Sequence, residues 1–573
     1  MQDNTAPLGA SPFNDSSYGT PEGVPQSGIF TPRNDHSAQL MSQVQAEQAA
    51  RAQAAQAQLL AQQAAQQAAI AKAQADQQAA QAAAQAQAEA EAAQAAAQAQ
   101  AAQAQAQVEA IKAAREQQAA QQAQTQKANL AIREKYRDFI YESCKVTRQA
   151  DGIHATFVYK IGEHTFKPTV FIPLSDIRND EIDDDFLDIL FFNFGMINAI
   201  NYYKLTLSPR FICKAGFLED NQKAFFKKVF YHGLGELMYV NGLNIPQEEF
   251  VEIYADAPTG RPDYNDGSHY SGNLITVGGG KDSCVTLDAL SSMHEDNLCL
   301  IFNRDIYPQN TAAIECIRAA GYPMGYIVNF NLSLDPHLFE LNELGYYNGH
   351  IPFSSCLAFA TIIMAYLNKK SYVVLSNESS ANEGNIPGTT INHQYSKSFE
   401  FEADFQNYVS NYLTRKIYYF SLLRPLNEFQ IMQRFLRNPA YLGVFRSCNV
   451  GTRANSWCSH CAKCLYVYIM LYPFLSQGQL DNIFDHNLLD DSSLLQTFIG
   501  LVMPDASKPF ECVGTREEIN FSLRLAIDRG RTEPCLVQYY AQNLYDPTQN
   551  YNVMNYFDPN HHIPENYLPL ILN

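Results

Sequence analysis

Between Asn273 and Leu290 the chain reads NLITVGGGKDSCVTLDAL, and this stretch constrains the fold more than any other. Leu274 to Val277 read as a short buried strand. Gly278, Gly279 and Gly280 then make a tight loop, and Cys284 to Leu290 read as the start of a helix. Strand, glycine loop and helix N-terminus together form an anion site, because successive backbone N–H groups point outward and the helix dipole favours negative charge. The ligand type that fits is phosphate. A Walker A loop would need glycine at the position of Ile275 and Ser or Thr at the position of Asp282, so that reading fails. A dinucleotide fingerprint fails too, for want of a suitably placed third glycine after Gly280.

The loop instead resembles the SGGxDS loop of the PP-loop ATP pyrophosphatases, with Gly278 in place of the usual serine. Those enzymes cleave ATP to AMP and pyrophosphate, normally to adenylate an oxygen of their substrate. From Asn273 onward the pattern alternates strand and helix. Leu298–Phe302, Gly325–Phe330 and Tyr372–Leu375 read as short buried strands, and Ser354–Leu367 as a buried helix. That alternation predicts an α/β fold with a doubly wound parallel sheet, in which ligands sit beyond the carboxyl ends of strands. Polar clusters stand at those ends: GGGKDS, then Asn303-Arg304-Asp305, then Asn377-Glu378-Ser379-Ser380. One shared site is expected.

Three segments follow from the composition. Residues 1–130 are a low-complexity tail, almost entirely Ala and Gln from about 38 to 128, with no aromatic between Phe30 and Tyr136. Alanine favours helix, but no stripe of large apolar residues specifies a coiled coil, so a disordered or loosely helical tail is expected. Residues 131–265 read as an α+β domain with strands at Ala155–Lys160 and Pro168–Pro173 and helices at Phe186–Asn201 and Gln222–Asn241. Residues 266–573 carry the glycine loop. Formal net charge is −19, of which −15 falls outside the tail; this weighs against a nucleic-acid partner. No signal-like N-terminus or membrane-length apolar run is read. Twelve cysteines in such a chain suggest a reducing, cytoplasmic setting.

Within the loop, Lys281 is the candidate cation for pyrophosphate, Ser283 a donor at the helix start, and Asp282 a magnesium ligand or a helix cap. Asn303 joins Gly278, Gly279 and Gly280 as a nucleotide-binding candidate. Cys448, Cys458, Cys461 and Cys464 have the spacing C-x9-C-x2-C-x2-C, which suits a closed tetrahedral structural zinc. Buried or redox cysteines and an iron–sulfur cluster are the competing readings. The third cluster runs from Asn377 to Glu402. It holds Glu378, Glu383, His393, Lys397, Glu400 and Glu402. On a helix His393 and Lys397 would share a face and could act as an acid/base pair. Solvated salt-bridge residues are the plainer alternative.

Taken in order, GGGKDS, NGHIPFSS (348–355), LSNESSANEGN (375–385), NHQYSKSFEFE (392–402), WCSHCAKC and KPFECVGT (508–515) resemble the UDP-N-acetylmuramoyl-L-alanyl-L-glutamate epimerase family (MurL) over about 135–573. The Ala/Gln tail departs from that pattern and reads as an added interaction segment for a protein partner. The resemblance implies a PP-loop (HUP-like) sheet, ATP with magnesium, and a UDP-MurNAc-dipeptide substrate. Its terminal L-glutamate would be adenylated and inverted in place, and water would then release AMP. His393 and Lys397 are the first candidates for the proton transfers, Glu378 and Glu383 the second. The loop and cysteine cluster also resemble 7-cyano-7-deazaguanine synthase, a second enzyme reading, and a non-catalytic scaffold with a degenerate PP-loop fold is a third.

Overall fold

A computed structural model describes residues 130–256, 268–304 and 310–572, together with the single helical positions Lys72, Gln77, Gln87 and Lys112. The expected character of the tail, and Asp305, lie outside the described residues. Eleven strands form one sheet: β1 Asp138–Gln149, β2 Gly152–Ile161, β3 His164–Phe166, β4 Thr169–Pro173, β5 Arg210–Phe217, β6 Glu252–Asp256, β7 Asn273–Thr276, β8 Asn297–Arg304, β9 Ile327–Ser333, β10 Tyr372–Leu375 and β11 Tyr418–Ser421. Their order is β11-β10-β7-β8-β9-β4-β2-β1-β5-β6, with β3 paired to β2.

The five strands from β11 to β9 are parallel. Chain order runs outward from β7 to β8 and β9 on one side, and to β10 and β11 on the other. The switch in direction therefore falls between β7 and β10, and the crevice beyond their carboxyl ends is the expected ligand position. Buried on both faces, β7, β8 and β10 read as short apolar runs, whereas β9 alternates, with Val328, Phe330 and Leu332 buried between Asn329 and Asn331. Alternate residues feed opposite cores. Leu274, Leu300 and Val373 pack on one face, whereas Ile275, Ile301 and Val374 pack on the other.

The strands of 131–265 continue the same sheet. The seam is the antiparallel pair of β4 with β9, with Val170 opposite Leu332. Helix α1 (Asp184–Asn198) starts where the Asp183 side chain accepts from Phe186 N at 2.9 Å, one of the orphan donors of a helix start. Helices α2 (Lys281–Ala289), α3 (Phe353–Leu367), α4 (Phe399–Tyr412) and α5 (Ala462–Leu471) surround the switch point. The last is buried along its whole length. Among the described residues no helix is long and apolar enough to cross a membrane.

Candidate active site

The glycine loop joins β7 to α2 at the switch point. Gly279 has φ +86°, and a Cβ there would lie 2.8 Å from Ala312 Cβ and from Ala313 N, so only glycine fits. A Cβ at Gly280 would stand 2.9 Å from Ser447 Oγ, whereas Gly278 faces open space. Gly280 caps α2 without a side-chain hydrogen bond. The first-turn N–H groups thus remain for an anion. Ser283 turns its hydroxyl back to Gly280 O at 2.9 Å. A cavity of about 260 Å³ opens here, lined by Gly278, Gly280, Asp282, Glu378, Lys397 and Lys463 among others.

Lys281 does not line that cavity. Its ammonium is 1% exposed with its residue and pairs with Glu428 and Asp282 in the interior. Burial opposes its charge, but those two carboxylates hold its pKa above the ordinary lysine value. Lys281, expected as the cation for pyrophosphate, thus points into the interior, and Lys397 and Lys463 are the lysines that line the opening. Asp282, Glu378 and Glu428 bring carboxylate oxygens within 4.8 Å of one another. Burial first, then Glu428 and Asp282, push the Glu378 carboxyl up to about 7. Lys397 acts on both Asp282 and Glu378, and Lys463 on Asp282, so three lysines stand among these three carboxylates.

A second cavity, of about 490 Å³, adjoins the first, and Ser354, Lys397, Asn449 and Cys512 line both. His350 and His393 face it with ring centroids 3.8 Å apart. His393 lies in a loop and Lys397 in the single 3-10 turn Tyr395–Lys397, so the helix face expected to join them does not exist. They meet instead at Cys512. Lys397 Nζ donates to Cys512 Sγ at 3.3 Å, and His393, whose Nδ1 pairs with Glu236 Oε2, acts electrostatically on the same sulfur across the cavity both line. Burial opposes the His393 charge, yet Cys512 and Glu236 lift its pKa to about 9. Burial would raise the Cys512 thiol, but Lys397 and His393 outweigh it and bring it down to about 5. Burial and the cations His393 and Lys397 push His350 down to about 3 and keep it neutral.

Two further expectations change. Asn303, expected with the nucleotide, lines the second cavity, its amide held by Asn329 Oδ1 at 3.0 Å and Asn331 Oδ1 at 3.1 Å. β8 lies on the far side of β7 from β10, which places its end off the switch point. Glu383 lines neither cavity. It pairs with Lys508 and, at 3.8 Å, with Arg516, tying its loop to the segment that carries Cys512. Arg424, fully buried, holds the frame from beneath. It donates to Glu378 O at 2.8 Å and Lys397 O at 2.7 Å, and pairs with Glu402 Oε2 at 2.8 Å. Arg424→Met leaves Glu402 uncompensated in the core, and is expected to lower unfolding free energy by about 3–5 kcal/mol. Urea denaturation checks this; a shift under about 1 kcal/mol would show that water reaches the pair.

The four cysteines converge. Sγ–Sγ separations are 3.9 Å for Cys448–Cys461, 3.7 Å for Cys458–Cys464 and 3.6 Å for Cys461–Cys464. Tetrahedral zinc with Zn–S of about 2.3 Å requires roughly 3.8 Å, so the donor set fits. Gly451 N donates to Cys448 Sγ at 3.0 Å, as thiolate ligands favour. His460 is exposed and turned to Cys458 O at 2.6 Å, outside the cluster. The segment also seats the glycine loop: Arg446 N donates to Gly279 O at 2.8 Å.

Two residues of this site carry no sequence signal of a role. Glu236 sits on the short helix Gly235–Val240 and Cys512 in the KPFECVGT segment, and each reaches His393 from a remote part of the chain. Comparison with known proteins matches residues 130–422 to the MurL N-terminal domain and 444–553 to the MurL C-terminal domain. The chain is 33% identical over 358 residues to the UDP-N-acetyl-alpha-D-muramoyl-L-alanyl-L-glutamate epimerase of Xanthomonas oryzae pv. oryzae (strain MAFF 311018), covering 61% of this chain and 77% of that protein. It is 31% identical over 418 residues to the protein of the same name from Micromonospora sp. (strain ATCC 39149 / NRRL 15099 / SCC 1413), covering 71% and 91% respectively. Both halves of the described fold, the glycine loop and the cysteine cluster fall within the matched regions, and the chain belongs to the MurL family.

Proposed function

We propose that this chain is an ATP-dependent epimerase that inverts the terminal L-glutamate of UDP-MurNAc-L-Ala-L-Glu through an acyl-adenylate, releasing AMP and pyrophosphate. The relatives' shared name supports the substrate. The observation that carries the adenylation is the wall common to the two cavities, where Lys397 and Cys512 stand between the glycine loop and the histidine pair.

The chemistry explains why two cavities must touch. An ionised carboxylate resists loss of the neighbouring Cα proton, because a second negative charge would form. Adenylation removes the first charge, and donors facing the acyl oxygen can then stabilise an enolate. The uncapped start of α2, with Gly278 and Gly280, would receive phosphate, and Lys463 and Lys397 would neutralise it. Asp282 and Glu378 would hold magnesium, which offsets the phosphate charge. Cys448, Cys458, Cys461 and Cys464 would hold a structural zinc. Lys397, held protonated, faces the developing oxyanion rather than moving a proton. His393, also protonated near neutral pH, stands at the second cavity, where the proton transfers take place.

Pyrophosphate release tests the first half. Purified protein with ATP and magnesium should form pyrophosphate only when UDP-MurNAc-L-Ala-L-Glu is added, and Lys463→Met should slow that release by roughly tenfold or more, the worth of one charge-assisted contact. Release independent of the dipeptide would contradict adenylation of this substrate.

A further inference from the structure

Inversion needs a group that is deprotonated near neutral pH at the second cavity, and Lys397 and His393 are both held protonated. One group faces both. Cys512 Sγ accepts from Lys397 Nζ at 3.3 Å and lines one cavity with His393, whose Nδ1 is held by Glu236. Carboxylate, imidazole and thiol form one set, in which the carboxylate orients the ring and the ring sets the charge of the sulfur. Two cations beside a thiol favour the thiolate. The charged groups facing Cys512 are Lys397, His393 and Lys463, with Glu511 next to it in its own segment.

A separate feature marks the cavity as a ligand site. Gln394 is 5% exposed and lines it, and among the described residues its Oε1 has no hydrogen-bond partner. A buried acceptor without a donor calls for one from a ligand. The peptide N–H of an aminoacyl substrate would supply such a donor.

We propose that Cys512, oriented by the Glu236–His393 pair, is the base that takes the Cα proton of the activated glutamyl residue. The assignment rests on the adenylating epimerase reading above. The Cα–H bond breaks, the proton passes to Sγ to give S–H, and the electron pair moves into the acyl carbonyl as an enolate facing Lys397. Reprotonation on the other face draws a proton from water, and the S–H returns its own to solvent. One Cα hydrogen is thereby exchanged for one solvent hydrogen, with nothing oxidised. Attack of Cys512 on the acyl carbon, expelling AMP and leaving a thioester, is the competing use of the same thiolate.

The full chain is incubated in D2O with ATP, magnesium and UDP-MurNAc-L-Ala-L-Glu, and pyrophosphate, Cα deuterium and intact protein mass are read together. Wild type should place one deuterium in each inverted residue. Cys512→Ser and Cys512→Ala should lower deuterium per pyrophosphate by roughly 100-fold or more, the usual worth of a general base. Glu236→Gln should raise the pH at which iodoacetamide labels Cys512, a change that a packing role would not produce. On wild type, labelling at neutral pH should select Cys512 and abolish deuterium uptake, which keeps the test open if a variant fails to fold. Near-normal deuterium uptake in Cys512→Ala, or labelling of Cys512 no faster than in denatured protein, overturns the base. A substrate adduct on Cys512 overturns it in favour of the thioester. No pyrophosphate from wild type overturns the activation reading, and the base with it.

Discussion

Loss of the metal proposed for the four-cysteine cluster is expected to silence the nucleotide site. Structural zinc binding to such ligand sets contributes on the order of 10 kcal/mol or more of folding free energy. Here the same segment builds the seat of the glycine loop. Arg446 N donates to Gly279 O at 2.8 Å, and Ser447 Oγ stands against Gly280. Lys463, one residue before Cys464, donates from its backbone to Glu511 Oε2 at 2.7 Å and from its ammonium to Cys512 O. Releasing Cys464 therefore frees one wall of each cavity. Cys464→Ser, or wild type treated with a strong chelator, should lose at least roughly 100-fold in substrate-dependent pyrophosphate release, because misplaced catalytic groups alone cost that much. Metal analysis of wild type should return one zinc per chain. Full pyrophosphate release from metal-free protein would show that the cysteines only pack.

The second large effect separates the two half-reactions. His393→Ala is expected to cut inversion by roughly 10²- to 10⁴-fold, the range for a disabled general base, because the ring sustains the Cys512 thiolate, with dipeptide-dependent pyrophosphate release falling only a few-fold. His393 lies on the second cavity and is not among the residues that line the glycine-loop opening. Its pKa, lifted to about 9 by Cys512 and Glu236 against burial, also sets a pH signature. The protonated ring and the Cys512 thiolate are the working forms, so inversion by wild type should hold between about 5 and about 9 and decline as pH rises through the upper value. Pyrophosphate release should not share that limb. Equal loss of both activities in His393→Ala would make the ring a substrate-positioning group.

How legible the site was depended on how local each part is. β7, the glycine loop and the start of α2 are adjacent in sequence, and the glycines carry their own reason, a positive φ and a close neighbour at Gly279. Tyr372–Leu375 is a strand at the residues expected, because an apolar run buried on both faces needs no partner to be recognised. The cysteines converge because two CxxC steps leave little freedom. Lys281 lies where its spacing does not foretell, for the opposite reason. Spacing does not say to which side a first-turn side chain turns, and Glu428, 147 residues further on, captures it. The His393–Glu236 contact spans 157 residues and Lys397–Cys512 spans 115, so nothing local marks either partner. The β4–β9 seam is likewise non-local, and it makes one sheet of segments whose compositions differ.

The central claim is that activation at the glycine loop drives inversion at the neighbouring cavity. Its most direct test is a single incubation of the protein with ATP, magnesium and UDP-MurNAc-L-Ala-L-Glu, followed by acid hydrolysis of the sugar dipeptide, chiral analysis of its glutamate and assay of AMP. The account predicts D-glutamate and AMP appearing together, both abolished when ATP is withheld. D-glutamate formed without ATP, or AMP formed without any D-glutamate, would contradict it.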